Sequence, residues 1–132
     1  MPGTVPVEKR RAVAFLEKAQ EFLRGARRAL DEGDRDTAGV LAIHAGITAC
    51  DSLTVFHLGL RSNSKRHLDV LGLLKGMTFE GRAQVEKQLR ELLSEKREVE
   101  YDDTRLMAGD SAKMVKLAER IVMAAARAQG RR

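Results

Sequence analysis

The apolar positions of this chain recur at helical spacing and nowhere alternate as a strand would. After Pro6, the residues Ala12, Leu16, Ala19, Leu23, Ala26 and Leu30 follow one another at intervals of four and three, and Phe15, Phe22 and Ala29 widen the seam. This spacing predicts an amphipathic helix of roughly 24 residues, starting just after Pro6, whose other side carries Lys9, Arg10, Lys18, Arg24, Arg27 and Arg28. Gly33 is expected to stop it, with Asp34 and Asp36 available as caps for the next helix. So short a connection predicts antiparallel packing of the two.

The next stretch, Asp36 to Leu60, reads DTAGVLAIHAGITACDSLTVFHLGL, with no Pro, Lys or Arg. A helix apolar on nearly every side belongs in a core or a membrane. His44, Thr48, Asp51, Thr54 and His57 interrupt it, and no unbroken apolar run approaches the roughly 18 residues of a spanning segment. It is therefore expected to be the central helix of a soluble bundle. Gly59 and the polar run Arg61 to Arg66 predict a loop. His67 to Leu74 predicts a short helix ending near Gly76, with Thr78 as cap for a fourth helix carrying Val85, Leu89, Leu92, Lys96 and Val99 in one row. Glu100 to Asp110 reads as a polar connection. Ser111 to Ala128 reads as a last helix with Val115, Ala118, Val122 and Ala125 inward, and Met107, Met114 and Met123 are expected to fill gaps in the core. The fold class expected is all-α, an up-and-down bundle of four long helices plus one short helix, in one domain over residues 1–132 whose ends, 1–6 and 129–132, fray.

Composition changes this picture little. The chain has 132 residues, a usual size for one domain, and four Phe and one Tyr leave the core to Leu, Val, Ile and Ala. Cys50 has no intrachain partner, which excludes a disulfide framework and fits a reducing cytoplasm. No signal peptide or membrane anchor is apparent in the first residues. Lys and Arg exceed Asp and Glu by 24 to 19, an excess that favours encounters with polyanions.

Three groups could carry chemistry. On a helical wheel His44, Thr48 and Asp51 fall within about 60° of one another and form a polar stripe on the central helix. A buried carboxylate requires a partner, so the stripe is expected to be a buried polar network, with Lys96, Arg97 or Tyr101 of the fourth helix as candidates. It either fixes helix register or walls a pocket. The run Arg61, Ser62, Asn63, Ser64, Lys65, Arg66 and His67 is the densest donor cluster and would suit a phosphate, although Ser62 or Ser64 could equally cap the short helix beside solvated cations. Around Lys96, Arg97, Tyr101 and Asp102 lies a second charged constellation, in which Arg97 and Tyr101 share a helical face. His57 reads as a packed histidine. There is no HxxxH, HExxH or second carboxylate at ligand spacing, so neither metal nor cofactor is expected.

The apolar second helix AIHAGITACDSLTVFHLG, the short third, a fourth ending in LLSEKREVEYDD and a last helix SAKMVKLAERIVMAA together resemble the HEPN domains over about residues 8 to 127. That resemblance implies a helical bundle that dimerises, works in toxin–antitoxin, CRISPR or other defence settings, and is often a metal-independent RNase. In nucleolytic members an Arg, followed after four to six residues by a His, comes from each protomer to one shared cleft. Arg61 and His67 match that spacing, but earlier in the chain than the family's pair would stand. At the more natural place Arg97 is followed by Tyr101, Asp102 and Asp103, with no His. Tyr and Asp supply no equivalent acid near neutral pH. The expectation is a noncatalytic, homodimeric module that binds RNA or a cognate protein partner through Arg61–His67 and the Lys96 to Asp102 corner, without a membrane. The alternatives are an RNase using Arg61 and His67, and a purely structural assembly module.

Overall fold

A computed structural model describes residues 3–63, 69–96, 103 and 105–131. Among these, a short strand β1 (Thr4–Pro6) and a 3-10 turn (Lys9–Arg11) precede α1 (Ala12–Asp31) and α2 (Arg35–Leu58). Strand β2 (Leu60–Ser62), then α3 (Asp69–Lys75), α4 (Arg82–Ser94) and α5 (Ala108–Ala128) complete the order. The all-α class holds, with one addition: β1 and β2 pair antiparallel, Thr4 opposite Ser62, Val5 opposite Arg61 and Pro6 opposite Leu60.

Residues 4–6, expected to fray, are therefore tied down. Val7 N–H to Gly59 O at 2.9 Å and Asn63 N–H to Gly3 O at 2.9 Å extend the pairing at both ends. Pro6 fits because this ribbon has only edge strands, where a missing N–H leaves no ladder bond broken. The other end also differs from the expectation. Gly130, at φ +71°, closes α5 through Gly130 N–H to Arg127 O (2.9 Å) and Arg131 N–H to Ala126 O (2.7 Å), the paired bonds of a Schellman motif. Gly33 ends α1 in the same way, with Gly33 N–H to Leu30 O and Asp34 N–H to Ala29 O.

Most of the four-three seam of α1 is buried as read, with Ala12, Leu16, Ala19, Leu23 and Ala26 inside; its last member, Leu30, is half-buried, and Ala29 is buried beside it. α1 and α2 run antiparallel: an added Cβ at Gly25 would stand 3.1 Å from Leu41, and the ring of Phe22 lies 5.9 Å from that of His44. As residue numbers fall along one helix they rise along the other. Small residues on α2, Ala38, Gly39, Ala42, Ala45, Gly46 and Ala49, let neighbours approach closely. A Cβ at Gly46 would come within 2.6 Å of Leu92 and 3.5 Å of Ile121, so α4 and α5 both press on this point. By length and composition α2 could cross a membrane, but 61% of its most apolar window is buried within the fold, as in a core helix.

Several expected details change. Asp34 occupies the N-cap of α2 without a side-chain cap bond, and Gly81, not Thr78, precedes α4. Asp36 reaches away from its own helix: Oδ1 accepts Leu106 N–H at 2.9 Å and Oδ2 accepts Arg105 Nε–H at 2.5 Å, so it pins the approach to α5. α5 begins at Ala108, before the expected Ser111, whose hydroxyl turns back to Ala108 O at 3.1 Å. Of the three methionines assigned to the core only Met114 is there; Met107 is 67% and Met123 50% exposed.

Candidate functional site

The polar stripe of α2 is intact and points elsewhere. His44 is exposed and Thr48 and Asp51 are half-buried, so they form a surface stripe and not the buried network expected of them. Among the described residues the charges that act on Asp51 are Arg61 of β2 and Lys18 of α1; Arg97 and Tyr101, expected to face it, lie outside the described residues. Lys96, expected within the fourth helix, is half-buried just beyond the end of α4 at Ser94. An α-helix apolar on nearly every side has no preferred orientation that its own sequence reveals. Packing turned Gly46 toward α4 and α5, and the stripe was left on the rim beside α1.

Four further side chains join it. The guanidinium of Arg61 lies 5.9 Å above the ring of Phe15, and Lys18 Nζ lies 5.8 Å from the centre of Phe22. Phe22 in turn tilts against His44 at 5.9 Å. Phe15, Lys18 and Phe22 stand three and four residues apart, hence on one face of α1. That spacing was visible in the sequence, but Phe15 and Phe22 read there as the edge of a core seam and Lys18 as part of the opposite, solvated side. The strand pairing, which no periodicity announced, carries Arg61 over them.

Burial drives the Asp51 carboxyl up from its ordinary 3.8 to about 7, against the opposing pull of Arg61 and then Lys18. Among the described residues no hydrogen bond reaches it. One residue earlier, Cys50 is fully enclosed, and burial, reinforced by the charge at Asp51, pushes its thiol well above the usual range. Such a thiol is a small core side chain and not a nucleophile. At the end of α2, His57 is half-buried between Phe56 (5.0 Å) and Phe79 (5.6 Å) and directs Nδ1–H to Leu53 O at 3.0 Å.

A model of the HEPN domain matches residues 12–128. The chain belongs to that family. Comparison with curated proteins and with solved structures finds no match. In this HEPN domain Arg61 and Ser62 lie on β2, both half-buried. The rest of the expected donor cluster, Ser64, Lys65, Arg66 and His67, falls outside the described residues, as do Arg97, Tyr101 and Asp102. What the described residues bring together is Arg61, Phe15, Asp51, Lys18, Phe22 and His44, where β2, α1 and α2 meet.

Proposed function

We propose that this HEPN domain is a noncatalytic, homodimeric module of the cytoplasm that binds RNA across the α1–α2 rim. The observation that carries the reading is the interleaving of Arg61 and Lys18 with Phe15, Phe22 and His44 on one accessible face. Cations placed between aromatic rings suit a single strand, whose phosphates meet the charges while its bases stack. The engagement of Arg61 supports the absence of cleavage. Its charge is shared with Phe15 and Asp51 and is less available to a developing phosphorane. After Arg97 the sequence offers Tyr101, Asp102 and Asp103, with no His such as the family's nucleases carry.

Affinity for a fluorescent RNA should fall steeply with added salt, since phosphate contacts release counterions, and Lys18→Glu with Arg61→Glu should weaken it by about tenfold or more. Flat salt dependence would remove the reading. A nuclease is the second reading, favoured by the five residues between Arg61 and His67. Incubation with mixed RNA in EDTA separates the two: cutting that disappears in His67→Ala would establish the enzyme. For the dimer, sedimentation at micromolar concentration should show a species larger than the 14.6 kDa chain.

A further inference from the structure

The outward stripe of α5 carries Lys113, Lys116, Arg120, Met123 and Arg127, all exposed. It plays no part in the rim described above. Met123 is half exposed although the helix around it buries Met114, Ile121 and Val122. Two grooves meet at it. One, of about 410 Å³, runs between α5 and α4 over Val85, Ala124 and Ala128. The other, of about 380 Å³, runs between α5 and α1 over Leu23, Val122 and Ala126.

The borders of the grooves are cationic. Arg120 and Arg127 stand three residues before and four after Met123, so the three side chains share one face. Both line the first groove, with Glu80 as its acidic member, while Arg24 and Arg27 line the second. Arg27 is held by Glu119 of α5 at 2.7 Å, whereas Arg24, Arg120 and Arg127 have no ion pair among the described residues. Among the described residues no aromatic ring lines either groove, so none of them could stack a base there, which distinguishes this surface from the rim proposed for RNA.

We infer that these two grooves together dock an acidic amphipathic helix of a protein partner. Its aliphatic side chains enter the grooves on either side of Met123, and its carboxylates meet Arg24, Arg120 and Arg127. A flexible, polarizable methionine adapts to such side chains, and a helix laid in a groove presents them at intervals of three and four. The surface is separate from the rim, so either proposal can fail without the other.

The test uses the whole chain labelled at its methionine methyl groups, with the Met123 signal assigned from Met123→Leu. The probe is a helical peptide of about five turns, with leucines on one face and glutamates elsewhere. It is compared with a scrambled peptide of identical composition and with poly(U). The amphipathic peptide should move the Met123 methyl signal, and it should bind about tenfold or more tightly than the scramble. Arg120→Glu with Arg127→Glu should weaken it comparably while thermal unfolding stays unchanged. The inference is overturned if the Met123 signal stays fixed, if the scramble binds equally, or if poly(U) moves Met123 as strongly. It is also overturned if protein concentration alone moves the signal, because a second copy would then cover this face.

Discussion

At Asp51 burial and charge act in opposite directions, and the carboxyl settles at about 7. A carboxyl whose pKa is higher in the folded chain than in the unfolded one stabilises the fold fully below the unfolded value. That contribution is lost as pH rises through the folded value. Stability should therefore decline from about pH 4 to about pH 7 on account of this residue. Asp51→Asn removes the titration, and at pH 8 it should be more stable than the parent by on the order of 1 kcal/mol, the two converging near pH 4. Thermal unfolding across a pH series measures this. A variant less stable at pH 8 would mean that Arg61 and Lys18 hold the carboxylate more strongly than burial opposes it. The sequence already placed Asp51 in one stripe with His44 and Thr48, since 100° per residue is a local property. The groups facing it were out of reach, because they come from β2 and α1.

Between elements, the clearest example of long-range control is the hold of α2 on the approach to α5. Asp36 lies in the first turn of α2 and bonds Leu106 N–H and Arg105, so its carboxyl is held below the ordinary range, chiefly by the bond from Leu106. Here the sign is the reverse of that at Asp51. The contribution is present above the unfolded pKa and disappears as pH falls through the depressed folded value. Asp36→Ala should cost about 1 kcal/mol at neutral pH, and less at a pH below the depressed folded value, where the carboxyl is protonated. Denaturant titration at the two pH values checks it. Helix ends marked by Gly33 and Gly59 were legible, because a glycine after an apolar seam is a local signal. Asp36 read as a cap for the same reason, and its true partners lie about seventy residues away. The β1–β2 pair was illegible on similar grounds: three-residue strands are too short for a period.

Across the whole molecule α2 organises the packing, and at Gly46 both α4 and α5 approach it closely. Gly46→Leu should destabilise the domain by about 1–3 kcal/mol through overpacking against Leu89, Leu92 and Ile121, read from the midpoint of denaturant unfolding. An unchanged midpoint would show that the three neighbours can separate without cost. The chain's own pattern determined which segments are helical and most residues of the seams of α1, α4 and α5, because amphipathic periodicity reports the direction of the core one turn at a time, although α4 ends at Ser94, before Lys96 of the expected row. It also placed Met123 wrongly inside. Tertiary structure alone decided which way the stripe of α2 faces, what stands opposite Asp51, and that a methionine between two arginines remains in water. Each of these depends on contacts between segments far apart in the chain, for which the spacing of residues along one helix holds no information.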